Sequence, residues 1–383
     1  MQTPPCRIAV VIPKYGLVGG AEGFAAELTE RIARDDRYEI HVFANAWQAL
    51  SDRVAFHRVP MVRFPRFLIT PSFAYFANQA VEQGSFDLVH AHDRLFAADL
   101  YTLHGVPHRF WSREVRRKRW LSLFDRATIA VERRLVRGGR CRRFLAVSTL
   151  AREVFLQEYG LPAEQVPVIH PGIALEETSP DEREIQRRAV RQRYGIAPEE
   201  TVILFVSMNF AVKGLDAVLA GTARLLRQRP EAPVRLLVVG RDRAAPYEAL
   251  ARRLGIERQV LFAGLVERKA LGGFYAAADL YAMLSRFDTF GLVVLEAMAA
   301  GLPVLVSGNV GAKDVVDPGV NGFVVADPDD TTEVAQRLAS LLDERSQAAM
   351  ARAARQTARR YTWEATANSV KAVYDELLRE RRP

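Results

Sequence analysis

Two α/β domains, each a doubly wound parallel sheet with helices on both faces, are the architecture this 383-residue sequence predicts. Three observations lead to it. The length exceeds what one ordinary core fills. Short apolar runs alternate with segments of helical period along most of the chain, the pattern of a parallel sheet wrapped by helices. A punctuated break, His170-Pro171-Gly172, divides that alternation into two series.

The elements follow in order. Residues 7–12 form an apolar run ending at Pro13; a glycine-bearing loop over 14–20 and a helical pattern over 21–34 come next. Strand, loop and helix in that succession open an α/β unit. Further buried strands are predicted at 39–43, 86–90, 144–147 and 166–169. Beyond the break lie strands at 202–206, 234–239, 260–263, 280–284, 303–306 and 323–325. Helices at 216–227, 246–254, 271–277 and 291–300 alternate with them, and the remainder is mainly helical, rich in alanine and arginine over 348–358. The expected domains are 1–170 and 171–362. Ligands of such sheets sit at the carboxyl ends of strands and at domain interfaces, so a cleft between the domains is expected.

Composition narrows the class. With 49% hydrophobic and 26% charged residues the chain is globular, and no stretch is apolar enough to span a bilayer. Residues 1–7 carry no signal-peptide pattern, and the two cysteines, Cys6 and Cys141, have no ligand-like neighbours. A cytoplasmic protein without a zinc site or disulfide framework is expected. The net charge of +8 is local: residues 109–143 hold thirteen basic residues against three acids. Within that segment Arg116, Arg117, Lys118, Arg119 and Trp120 mix cations with an aromatic ring. That suits an anionic membrane surface, where each nearby cation contributes about 1 kcal/mol. A solvated helix face is the plain alternative. Nucleic acid would also attract the charge, but no nucleic-acid motif accompanies it.

Several residues point to phosphate handling. Gly19 and Gly20 lie where a strand passes into a helix, whose free amides and partial positive charge favour a phosphate or sugar hydroxyl; glycine needed only for turning is the other reading. Lys213, beside Gly214 and ahead of a helix, is placed to neutralise a diphosphate, or else is a solvated lysine. Arg241 and Arg243 follow the next strand and are either a second phosphate contact or surface arginines. Asp288 precedes a helix and Glu296 lies about two turns into it, a charge among Leu292, Val293, Leu295 and Met298. Such a carboxylate needs partners, and ribose hydroxyls would serve. Asp327-Pro328-Asp329 spells a metal–diphosphate motif, but helix capping accounts for it better, and His90 and His92 lack further ligands. No metal is expected.

The run from Asp288 through Glu296 to Ala297-Met298-Ala299-Ala300-Gly301-Leu302-Pro303-Val304 resembles the retaining glycosyltransferase family 4, whose fold is GT-B: two Rossmann-like domains facing across a cleft. Matches in order are Gly19-Gly20, Leu103-His104-Gly105, His170-Pro171-Gly172-Ile173, Lys213-Gly214, Val239-Gly240 and Ala278-Asp279-Leu280. Residues 239–251 and 209–214 are most similar to the lipopolysaccharide core heptose glucosyltransferase I group. The resemblance implies a metal-independent hexosyltransferase moving a hexose, UDP-glucose being the favoured donor, to a glycan or lipid-linked acceptor of the cell envelope. It implies peripheral attachment at the cytoplasmic face of the inner membrane, and a closing helix, 363–383, returning to the first domain. It assigns Glu296 to the ribose and Lys213 to the diphosphate. Amides of Phe290, Gly291 and Leu292 fall on the sugar or phosphate, Gly19 and Gly20 on the diphosphate, and His104 near the reacting carbon. Two positions depart from the family: Asp288 stands where the first glutamate is usual, and Ser207 where many members have arginine. An epimerase or phosphorylase of the same fold, and a nucleotide-sugar-binding protein without turnover, stay open as alternatives.

Overall fold

Each half of the chain is built on one six-stranded sheet, and every pairing in both sheets is parallel. The computed structural model describes residues 4–17, 19–175 and 179–381, the side chains of 344–346 apart. Val18 of the glycine loop, residues 1–3, residues 176–178 and residues 382–383 of the expected closing segment lie outside the described residues. The first sheet holds β1 (Cys6–Val11), β2 (Tyr38–Ala44), β3 (Val54–Arg58), β4 (Leu88–Ala91), β5 (Leu100–Leu103) and β6 (Arg143–Ala146). Their order is β3-β2-β1-β4-β5-β6. The second holds β7 (Thr201–Val206), β8 (Val234–Val239), β9 (Val260–Gly264), β10 (Leu280–Met283), β11 (Val304–Ser307) and β12 (Gly322–Val325). Their order, β9-β8-β7-β10-β11-β12, repeats the first.

That order decides where a ligand goes. The chain moves outward one way from the first strand of each sheet, then returns and moves out the other way. Right-handed crossovers therefore place helices on opposite faces, and a crevice opens at the carboxyl ends of the two strands flanking the reversal. Those strands are β1 and β4 in one unit, β7 and β10 in the other. The central strands are mostly apolar because both faces are covered: Ile203, Leu204, Phe205, Leu236, Leu237 and Val238 are buried.

One unit runs to Gly172 and resumes at Thr362; the other is Ile173–Tyr361. The closing helix, Trp363–Arg381, belongs to the first unit and buries Trp363, Thr366, Ala367, Val370, Tyr374 and Leu377, a helical stripe. Its Trp363 meets Phe24 edge-on at 5.3 Å, and the Tyr38 hydroxyl donates to Asp375 at 2.8 Å.

The sheets differ from the sequence expectation at three strands. β3 and β5 were not expected. Only eight residues separate β4 from β5, too few to show the strand–helix alternation. The strand expected at 166–169 is reduced to one bridge, Ala146 to Val168, because Pro167 has no amide to continue a ladder. Helix Pro180–Arg193 was also not expected, being almost without apolar residues; Ser179 caps it. Its Arg187 and Arg191 donate to carbonyls of Ala277 and to Asp279, each reaching the carboxylate at 2.7 Å. Among the described residues no helix is long and apolar enough to cross a membrane.

Candidate functional site

In the second unit the reversal point gathers Lys213, Asp288, Gly291 and Glu296. β7 leads into the loop 207–214, and β10 leads into 284–291. The two loops touch: Arg286 N–H donates to Val212 O at 2.9 Å. Gly214 has φ +73°, and a Cβ there would stand 2.0 Å from Leu284 O. Only glycine permits that approach, which sets the preceding Lys213 over the second loop. Its ammonium forms an ion pair with Asp288 Oδ2. The Asp288 backbone is tied to Asn309 and Gly311 by hydrogen bonds of 2.9 Å.

Gly291 opens helix Leu292–Ala299 with φ +90° and has no side chain to cap it, while Asp288 Oδ1 accepts from the preceding Phe290 N–H at 3.4 Å. A Cβ at Gly291 would lie 2.8 Å from Met283 Cε and 3.1 Å from Asp288 Oδ2. The helix amino terminus thus lies beside the Lys213–Asp288 pair, where an uncapped helix favours negative charge. Glu296 is half-buried on the same helix, and Tyr275 donates its hydroxyl to Glu296 Oε2 at 2.9 Å. Burial and the neighbouring Glu296 push the Tyr275 hydroxyl far above its usual range, so it stays a donor. Tyr275 was missed from sequence. It lies on another helix, Arg268–Ala277, and no local pattern links it to Glu296.

Arg241 and Arg243 follow β8 and are exposed, with no hydrogen-bond partner for either guanidinium among the described residues. Asp242 between them accepts from Phe210 N–H at 2.7 Å, holding this loop against the one that carries Lys213. Ser207 turns its hydroxyl onto its own loop, accepting from Asn209 N–H at 2.8 Å. Asp329 is engaged by Arg286 at 2.9 Å, Asp327 accepts from Asp329 N–H, and the cap of helix Thr331–Leu341 is Asp330. Among the described residues no group of three or more histidine, cysteine or acidic side chains is arranged to hold a metal.

In the first unit His92 follows the end of β4, His104 follows the end of β5, and the chain after β1 leads to Gly19 and Gly20. Gly19 stands at the amino end of helix Gly20–Ile32 with the Glu22 carboxylate folded over it, and Gly20 is exposed. His92 Nδ1 and His104 Nε2 are 2.8 Å apart, and His104 meets Phe24 edge-on at 4.8 Å. Burial lowers His104 to a pKa of about 3 and His92 well below its usual value. Both are neutral. His90 is satisfied within the fold by Tyr374 and Thr102 hydroxyls, each at 2.7 Å. A cavity of about 870 Å³ opens here, lined among others by Lys14, Arg63, Arg94, His92, His104 and His108. Arg94 is held by Glu132 at 2.6 Å. Among the described residues Arg63 reaches only Asn45, at 3.2 Å, and the Lys14 ammonium has no partner.

The basic segment is divided. Arg116, Arg117 and Arg119 are exposed, Trp120 is 77% exposed and Leu123 65%. Lys118 corrects the sequence expectation: its ammonium turns inward to buried Asp125, at 2.8 and 2.9 Å. Burial alone would raise the Asp125 carboxyl, but Lys118, Ser122 and His108 hold it well below the usual range. Lys118 therefore anchors the loop and leaves the surface charge to the arginines.

Comparison with known proteins finds relatives of both halves of the chain. Residues 18–177 match the model described as "Glycosyltransferase Family 4", and 186–360 match "Glycosyl transferases group 1". A D-inositol 3-phosphate glycosyltransferase of Rhodococcus jostii is 32% identical over 76% of this chain and 67% of its own. That of Thermobispora bispora is 35% identical over 60% of this chain but only 54% of its own, so the chain spans about half the length of that relative. Among solved structures, WaaG, a glycosyltransferase involved in lipopolysaccharide biosynthesis, superposes with TM-score 0.78 at 23% identity, covering 96% of this chain and 99% of WaaG. Anabaena Alr3699/HepE in complex with UDP-glucose superposes with TM-score 0.72 at 22% identity, covering 97% and 99%.

Proposed function

We propose that this chain, which belongs to the family 4 and group 1 glycosyltransferases, is a retaining hexosyltransferase that moves glucose from UDP-glucose to a hydroxyl of a cell-envelope glycan or glycolipid. The carrying observation is the assembly at the second unit's reversal point: an ammonium, a helix amino terminus beside it and a tyrosine-held carboxylate on that helix. Lys213 and the amides after Gly291 take the diphosphate, with Arg241 and Arg243 available beside them. Glu296 accepts from the ribose hydroxyls, Asp288 from the donor sugar, and amides of Phe290, Gly291 and Leu292 complete that contact. For the first unit, the family resemblance supports roles for the Gly19 and Gly20 amides at the diphosphate and for His104 at the reacting carbon. The C1–O bond to the diphosphate breaks as the acceptor oxygen bonds C1 on the same face, and the acceptor proton passes to the departing phosphate oxygen. Lys213 supplies the cation that a divalent metal provides elsewhere, so the reaction needs no metal.

The acceptor has two readings. The fold likeness to WaaG favours a lipopolysaccharide core or similar lipid-linked glycan, and Arg116, Arg117, Arg119 and Trp120 suit the cytoplasmic face of an anionic membrane. The relatives' names favour a small polyol phosphate, and Lys14 and Arg63 on the first-unit cavity suit a phosphate group. Calorimetric titration with UDP, GDP and ADP in EDTA, then product analysis with UDP-glucose, tests the proposal. Binding of UDP alone with glucosyl transfer is expected. Binding that requires a divalent metal, or release of epimerised or phosphorolysed sugar without acceptor, overturns it.

A further inference from the structure

We infer that His92 is a positioning residue that fixes the ring tautomer of His104, making His104 a hydrogen-bond donor through Nδ1 and denying it the role of general base. The inference deepens the role proposed for His104 and rests on that reading. β4 and β5 pair in parallel, with His90 opposite Leu100 and Ala91 opposite Tyr101. Carried one residue further, that register sets His92 level with Thr102, and the turn closed by His104 N–H donating to Thr102 O at 3.2 Å brings His104 back beside His92. The rings stack with centroids 5.1 Å apart and planes 19° from parallel, and His92 Nδ1 lies 2.8 Å from His104 Nε2.

Two neutral imidazoles at that distance share one hydrogen, and two arrangements are available. In the first, His104 Nε2–H donates to His92 Nδ1, and the hydrogen of His92 must then sit on its Nε2. That atom is buried, and His92 as a whole is 4% exposed; among the described residues no acceptor lies within reach of it. His90, whose ring centroid lies 4.1 Å from that of His92, cannot serve, because both its nitrogens are taken by Tyr374 and Thr102. An orphaned N–H in such a place costs about 1–3 kcal/mol. In the second arrangement His92 Nδ1–H donates to His104 Nε2, and His92 Nε2 is a bare lone pair. Buried acceptors are left unpaired more readily than buried N–H groups, so the second arrangement prevails. His104 then carries its hydrogen on Nδ1, and its lone pair on Nε2 is already accepting. It has no site for an acceptor proton, consistent with that proton leaving on the phosphate oxygen.

The test is long-range proton–nitrogen correlation on the ¹⁵N-labelled full chain, with His104 assigned through His104→Gln, together with kinetics of His92 variants. In the wild type His104 is expected with hydrogen on Nδ1 and bare Nε2. His92→Leu should release it to the other tautomer and lower kcat at least tenfold, with donor KM changed less than twofold. His92→Asn, whose amide N–H stands in for the Nδ1–H, should keep the tautomer and restore most of kcat. A wild-type His104 protonated on Nε2 overturns the inference, as does a folded His92→Leu with unaltered kcat. If His92→Leu does not fold, the wild-type spectrum and His92→Asn decide. The spectrum needs no substrate, so absence of glucosyl transfer would defeat the proposed function alone.

Discussion

Asp288→Asn asks whether the Lys213–Asp288 pair opposes donor binding or prepares it. The two side chains are 24% and 13% exposed, so the pair lies between water and protein interior. At an effective dielectric of about 20, two unit charges 4 Å apart attract by about 4 kcal/mol before desolvation is subtracted. Solvation of the separated ammonium offsets most of that, leaving a net of about 1–2 kcal/mol for a partly exposed pair. A diphosphate taking Lys213 must overcome this term and also approach the Asp288 carboxylate. Removing the negative charge should therefore tighten UDP binding by about 5- to 30-fold, taking 1.4 kcal/mol as tenfold. The substituted protein without ligand should melt lower, since its ammonium has lost its partner, and UDP should raise its melting temperature by more than in the wild type. Turnover of UDP-glucose should fall at least tenfold, because the sugar loses a charged acceptor. The assay is calorimetric titration with UDP in EDTA at two ionic strengths, the gain shrinking at the higher salt. UDP binding that weakens or stays unchanged would refute the competition and mean that Asp288 holds Lys213 in place for the diphosphate.

Three further outcomes follow from the geometry. Tyr275→Phe removes one hydrogen bond to the Glu296 carboxylate, a contact of about 1.5–3 kcal/mol, so donor KM should rise about tenfold or more with kcat less affected; initial rates against donor concentration check it. His90 and His104 are lowered by burial to about 3, whereas in the unfolded chain they titrate near the ordinary histidine value. The unfolded state then binds more protons below about 6.5. Stability should be fully present above that pH and decline toward 3, by up to about 1.4 kcal/mol per histidine per pH unit. Melting temperatures that stay level from pH 7 to pH 5 would contradict this. Replacing Arg116, Arg117 and Arg119 by alanine should abolish sedimentation with vesicles containing phosphatidylglycerol and leave UDP binding unchanged. Lys118→Ala should instead lower the melting temperature, because it strips the charge partner from buried Asp125.

The parallel sheets were legible in the sequence because a strand covered on both faces must be apolar at nearly every position. The strand Val234–Val239 was read to the residue, and 202–206 and 260–263 to within one. Legibility failed where that physics did not apply: at Val54–Arg58 on a sheet edge, at Leu100–Leu103 with no helix before it, and at 166–169, where Pro167 interrupts pairing. Lys213, Asp288 and Glu296 stood out because strand ends and a charge on an apolar helix are local features. Their partners were not local. Tyr275 reaches Glu296 from another helix, and His92 reaches His104 across two strand ends. Lys118 turns away from its basic neighbours to Asp125. Composition and periodicity record how each segment meets solvent or core, and that alone determined the architecture and the positions of charge. Which charge is paired and which is exposed depend on distances between segments remote in the chain, and only the tertiary structure decided them.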